Sequence, residues 1–148
     1  MESGLEISKV TREDLQAVLR LWEASVRATH LFLTEEDIQF LIPFVEKAIA
    51  SHELWCTKDV MGSPTAFLCV VDSKIEMLFV HPENRGKGIG RALTEYSISR
   101  FNAREVDVNE QNAQAVGFYE KLGFHVVGRS ELDPTGKPFP ILHMSLKP

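Results

Sequence analysis

Hydrophobic positions recur along this chain with two different periods. After a short strand at residues 5–10, Leu15, Val18, Leu19, Trp22 and Val26 return at three- and four-residue steps, which places them on one face of a helix. Thr11 precedes the stripe as an N-cap. Glu13 and Asp14 stand in the first turn, where the helix dipole favours acids. Thr34 repeats the signal ahead of Glu35, Glu36 and Asp37, and Ile38, Leu41, Ile42, Val45 and Ile49 form a second stripe. Pro43 falls inside it, so the pattern predicts a kink or two short helices.

The period then becomes two. Residues 54–57 read as a weak strand, and 65–71, nearly all apolar, as a buried central strand. Asp72 and Ser73 supply a turn. Residues 74–80 alternate, with Ile75, Met77 and Phe79 on one side and Glu76, Leu78 and Val80 on the other. Further on, the pattern predicts a helix over 89–101, a short strand at Val106 and Val108, and a helix over 112–122 that Gly123 stops in a left-handed C′ position. Two strands, 124–128 and 141–146, close the chain around a turn-rich loop at 133–138. The order β-α-α-β-β-β-α-β-α-β-β predicts an α/β fold, one mixed sheet with helices on both faces.

A length of 148 residues has room for one domain, taken as residues 1–148. With 44% apolar and 25% charged residues it matches a soluble globular protein. No run approaches the ~20 apolar residues of a membrane span. The first residues lack the basic-then-apolar layout of a signal peptide, so a cytoplasmic location is expected. A net charge of -5 argues against a general nucleic-acid binder. Cys56 and Cys69 are too few for a disulfide framework or a four-thiolate zinc site, and both read as small apolar fillers. The histidines at 30, 52, 81, 125 and 143 show no metal-ligand spacing, so no metal is expected. No Ser-His-Asp or Cys-His arrangement can be argued from the order of residues.

Against this acidic background one segment stands out. Arg85-Gly86-Lys87-Gly88-Ile89-Gly90-Arg91 joins a strand to a helix. Its three glycines let the backbone approach a ligand and turn N–H groups toward one point. The helix start adds partial positive charge, and Arg85, Lys87 and Arg91 add full charges. These features predict a pyrophosphate cradle. The segment matches neither the P-loop nor the dinucleotide fingerprint, and it lies past the middle of the chain.

The run from Val80 to Gly90, with Arg85, Gly88 and Gly90 filling Arg/Gln-x-x-Gly-x-Gly/Ala, resembles the acetyl-CoA signature of the GCN5-related N-acetyltransferases (GNAT). Asn109-Glu110-Gln111-Asn112, followed by the stretch from Ala115 to Phe124, resembles the second signature of that family. Residues around Arg27 to Leu33, Gly128 to Ser130 and Gly136 to Pro138 are similar to its small bacterial, YjaB-type members.

The resemblance implies acetyl-CoA as cosubstrate and direct attack by a primary amine in a ternary complex, with a protein lysine as acceptor. A small-molecule amine or a peptide N-terminus is the alternative acceptor. A non-catalytic acyl-CoA sensor is the alternative of another class. It implies that backbone groups of Leu78, Phe79 and Val80 pair with the pantetheine arm. Arg85, Gly86, Lys87, Gly88, Ile89, Gly90 and Arg91 then hold the pyrophosphate, and Asn112 contacts the cofactor. Tyr119, seven residues beyond Asn112 and so about two helical turns away, faces the same groove and protonates the leaving thiolate. A backbone N–H near Leu78 serves the oxyanion.

Many members carry a glutamate where this chain has Lys74. Glu76 is therefore the provisional base, with Asp107 as a second candidate. His30 and Phe32 fall in the region that lines the acceptor site in the family. The expected assembly is a monomer or homodimer.

Overall fold

A computed structural model describes residues 5–146. The residues before and after, including the start of the chain read above for a leader, lie outside the described residues.

The chain forms β1 (Ser8–Lys9), α1 (Leu15–Thr29), α2 (Glu35–Ser51), β2 (Trp55–Lys58), β3 (Pro64–Val71), β4 (Lys74–Val80), α3 (Ile89–Phe101), β5 (Glu105–Asn109), α4 (Ala113–Lys121), β6 (Phe124–Ser130) and β7 (Ile141–Leu146). The strands make one seven-stranded sheet in the order β1-β2-β3-β4-β5-β7-β6. Every neighbouring pair is antiparallel except β4 and β5. The mixed α/β sheet expected from the pattern is the one observed.

Its two faces carry separate cores. Val18, Leu21, Trp22 and Val26 of α1 and Ile38 and Ile49 of α2 pack with Leu54, Cys56, Phe67 and Cys69 on one face. Ile89 and Leu93 of α3 and Tyr119 of α4 pack with Ala66, Leu68, Ile75, Val106, Val108, Phe124 and Met144 on the other. Phe67 and Leu68, adjacent in β3, are both fully buried, one on each face. Each such side chain contributes roughly 1.5–3 kcal/mol of burial. This explains why β3 reads as an unbroken apolar run rather than an alternating one.

Three local outcomes differ from the sequence pattern. The first strand shrinks to two residues. Helix α2 runs through Pro43 as one element. Proline removes a single N–H there, and both Pro43 and the residue it would have bonded, Gln39, face solvent. Leu41, Ile42 and Val45, on both sides of the proline, keep packing on the same core.

The third difference shapes the site. In β4, Met77 pairs with Cys69 but Ile75 pairs with Val70, so Glu76 is an extra residue, a β-bulge. The bulge shifts the alternation. Ile75 joins Leu78 and Val80 on the α3 face, whereas Met77 and Phe79 face α1. The expected grouping of Ile75 with Met77 and Phe79 is corrected on this ground.

Candidate active site

Strand β4 pairs with β5 only at Lys74 and Ile75. Beyond the Glu76 bulge the strands part, and the β5-side edge from Glu76 to Val80 has no ladder partner. An edge of unpaired N–H and C=O groups accepts an extended chain as an added strand. Leu78, Phe79 and Val80 stand on this edge.

The glycine segment follows directly. His81 caps a short 3-10 turn, Pro82–Asn84, by accepting from the Glu83 N–H at 3.1 Å. Gly86 and Gly88 both have φ of +80°, a conformation that glycine adopts without strain. A Cβ at either would meet nothing within 4 Å, so the main chain lies open to a ligand there. Among the described residues no backbone N–H from Gly86 to Arg91 has a main-chain partner. The start of α3 at Ile89 adds its dipole. These donors fit a diphosphate.

The side chains refine this picture. Arg85 bonds the amide oxygen of Gln114 at 2.6 Å, which orients the guanidinium and leaves its charge uncompensated. Arg91 pairs with Glu95 at 3.1 Å. Arg85 and Arg91 line the cavity beneath the turn, whereas the exposed Lys87 does not.

That cavity, about 360 Å³, runs from the turn along Leu78, Phe79 and Val80 to Tyr119. A second, about 210 Å³, opens behind the β4–β5 gap and is lined by Glu76, Met77, Asp107 and Asn109. The two share one wall, made of His30, Leu78, Phe79, Asn112, Ala115 and Tyr119. Asn112 caps α4, its side-chain oxygen accepting from the Ala115 N–H at 3.2 Å. Its amide donors remain for a ligand. The Tyr119 ring is buried between Phe118 and Phe124, at centroid distances of 5.0 and 5.5 Å. Its hydroxyl makes no hydrogen bond among the described residues. Burial pushes the phenol well above its ordinary value, so it stays protonated as a donor.

On the α1 side, His30 ends its helix with Nδ1 2.8 Å from the Thr29 hydroxyl. Burial pushes the imidazole down to about 4, so it is neutral at pH 7. Phe32 lines neither cavity. It packs behind His30 at 5.4 Å and against Phe139 at 5.5 Å.

Asp107, on the wall of the second cavity, belongs to a row of bonded polar groups whose connection the sequence did not suggest. Lys74 donates to Asp107 at 2.6 Å and stands 3.9 Å from Glu76. Asp107 also bonds His143 Nδ1 at 2.7 Å, and His143 Nε2 meets the Ser130 hydroxyl at 2.7 Å. Partial burial opposes the Asp107 charge, but the bonds from Lys74 and His143 outweigh it and hold the carboxyl below its usual range. The register Asp107↔His143 between β5 and β7 builds this row. Strand register is absent from the local pattern of either strand.

Among the described residues no group of three or more His, Cys, Asp or Glu side chains is placed to hold a metal ion. Both cysteines are buried and free, and neither lines a cavity. No helix among the described residues is long and apolar enough to cross a membrane.

An open edge beside an unengaged glycine turn suits a long, extended cosubstrate that carries a diphosphate. The chain belongs to the acetyltransferase (GNAT) family, whose domain model matches residues 33–146. It is an acetyl-CoA-dependent N-acetyltransferase acting on amines. It is 38% identical to the peptidyl-lysine N-acetyltransferase YjaB of Escherichia coli K12, over 95% of this chain and 96% of that protein. It is 30% identical to the peptidyl-lysine N-acetyltransferase YiaC of the same organism, over 89% and 91% of the two chains. The solution structure of apo YjaB from E. coli superposes with a TM-score of 0.88, covering 95% of this chain and 96% of that one. A PaiA N-acetyltransferase from Thermoplasma acidophilum in complex with coenzyme A shares the fold at a TM-score of 0.70 and 22% identity, covering 98% and 99%.

Proposed function

We propose that this enzyme acetylates the side-chain amine of protein lysines, by direct attack on acetyl-CoA in a ternary complex. The observation that carries this reading is the shared wall. One cavity leads to it from the phosphate cradle and the other from the outer face, so donor and acceptor can meet at Tyr119 without an intermediate carrier. Three of the curated relatives bear the name peptidyl-lysine N-acetyltransferase, which supports lysine over other amines. The absence of both cysteines from the cavity walls agrees with direct transfer.

The residues divide the work as follows. The amides of residues 86–91, with Arg85 and Arg91, hold the diphosphate. The open β4 edge at Leu78, Phe79 and Val80 pairs with the pantetheine arm, and Asn112 adds a side-chain donor. Only about one in 2,500 lysine amines is neutral at pH 7, so the ammonium must first lose a proton. Glu76, on the bulge at the wall of the second cavity, accepts it through water. Lys74 neutralises Asp107 rather than replacing the acid of other members. Tyr119 donates its proton to the departing sulfur. The enzyme works in the cytoplasm as a monomer or homodimer.

The test is thiol release from acetyl-CoA with a lysine peptide, an N-terminal-amine peptide and a polyamine. Preference for the lysine peptide supports the reading, and preference for the polyamine contradicts it. Tight binding of acetyl-CoA without turnover on any amine would indicate a sensor.

A further inference from the structure

We infer that His30, through Nε2, takes the second proton from the acceptor nitrogen as the new amide bond forms. This rests on the direct-transfer reading above and adds a catalytic residue to it.

The chemistry requires such a group. Glu76 removes one proton from the ammonium, and the freed lone pair attacks the acetyl carbon. The carbonyl electron pair moves to oxygen, and the nitrogen, now bonded to carbon, is again positively charged and newly acidic. It must lose a second proton before the carbonyl re-forms and the C–S bond breaks with its pair on sulfur. Tyr119 gives its proton to that sulfur. The proton on His30 then equals the one missing from Tyr119, and one proton in total reaches solvent.

Three candidates lie near the meeting point, and geometry separates them. Asp107 has both oxygens engaged, Oδ2 by Lys74 and Oδ1 by His143. Glu76 lines only the second cavity, and its side chain is 43% exposed. His30 lines both cavities and so belongs to the shared wall with Tyr119.

Its tautomer is fixed by its neighbour. The Thr29 hydroxyl donates its one hydrogen to the Ser25 carbonyl, an acceptor only, at 2.8 Å. It can therefore only accept from His30, which places the ring hydrogen on Nδ1, at 2.8 Å. Nε2 keeps its lone pair, and among the described residues it has no partner. Phe32 backs the ring on its own side.

Desolvation sets the opposite states of the pair. It keeps His30 neutral, with a free lone pair that only an acidic donor such as the newly bonded cationic nitrogen protonates, and it keeps Tyr119 protonated. The two groups arrive from opposite faces of the sheet, His30 from α1 and Tyr119 from α4.

The test compares steady-state constants of the full-length enzyme and variants with a lysine peptide. His30→Gln keeps a polar side chain that cannot take a proton. It should lower kcat at least about 100-fold, the lower end for a general base, while the KM for acetyl-CoA stays within about threefold. Thr29→Val, which frees the tautomer without touching the ring, should lower kcat with unchanged KM, and Thr29→Ser should restore it.

A His30→Gln enzyme with kcat near wild type overturns the inference. A loss confined to the KM for acetyl-CoA also overturns it, by assigning the ring to cofactor binding. Wild-type kcat in Thr29→Val overturns it too. If Tyr119→Phe still abolishes turnover in those cases, direct transfer stands and only the role of His30 falls. If wild type acetylates no amine, the underlying reading has failed instead.

Discussion

Leaving aside the wall they share, the cavity beneath the glycine turn is bounded by the open main chain of that turn and the start of α3, whereas the cavity behind the β4–β5 gap is bounded by side chains of two strands, residues 75–77 and 106–109. Gly86 and Gly88 in left-handed conformation, free amides at the start of α3 and an open strand edge make the first. On the proposed reading it takes a diphosphate and an extended amide chain, and backbone groups suffice for both. Glu76, Asp107 and Asn109 wall the second, and Lys74 and His143 bond Asp107 across three strands. A cosubstrate common to a family can be held by geometry that glycine and a helix start provide. An acceptor that differs between members needs adjustable side chains.

The largest effect is expected where the two cavities join. Tyr119→Phe should lower kcat by about 10²–10⁴-fold, the range for a positioned proton donor, without weakening acetyl-CoA binding. Steady-state kinetics with calorimetry separate the two effects. An equal loss of binding would make Tyr119 part of the cradle.

Next in size is Gly88→Val. A side chain at φ +80° costs roughly 1–3 kcal/mol of strain and stands where the ligand must approach. Acetyl-CoA affinity should fall more than tenfold, with a smaller change in folding stability, measured by titration and by denaturant unfolding. Gly90→Val is expected to differ in kind. Its Cβ would already be 3.4 Å from the Phe118 ring, so it should disturb the packing of α3 on α4 as well as binding.

A smaller effect distinguishes the acceptor side. Glu76→Gln should lower kcat at pH 7 by less than the ~100-fold of a directly bonded base, because Glu76 acts through water, and leave acetyl-CoA affinity intact, because Glu76 lines only the second cavity. The rate should recover at high pH, where lysine is neutral without help.

The smallest effect concerns Lys74→Met. The Asp107 carboxyl is held below its usual value in the folded state. Its stabilisation is therefore full above the ordinary carboxylate pKa and lost as pH falls through the lower folded value. Removing Lys74 should cost about 1 kcal/mol at pH 7 and flatten the acid limb of the stability curve, read from denaturant midpoints between pH 2 and 7.

The difference in construction also explains what could be read from the chain alone. The glycine turn, the Asn112 cap and the Tyr119 spacing lie within single local segments, and local patterns specify them. The two helical stripes were legible for the same reason. The β4 bulge was not, because an extra residue in one strand is defined only against its partner, Cys69 facing Met77 and Val70 facing Ile75. The Lys74–Asp107–His143–Ser130 row was hidden likewise, since register between β5 and β7 brings together residues 36 positions apart. Pro43 misled because a proline on a solvent face removes only one N–H while the apolar stripe holds both halves of α2. Thr29 and Gln114 escaped notice because their bonds, to His30 and to Arg85, are set by side-chain placement rather than by local pattern.

Everything proposed for this enzyme depends on the turn after β4 holding the diphosphate of coenzyme A. Titration of the enzyme with coenzyme A, followed by amide NMR shifts, tests it most directly. Saturable shifts concentrated at Gly86 to Arg91 and along Leu78 to Val80 are expected. Saturation with those amides unmoved, or no binding at millimolar ligand, would contradict it.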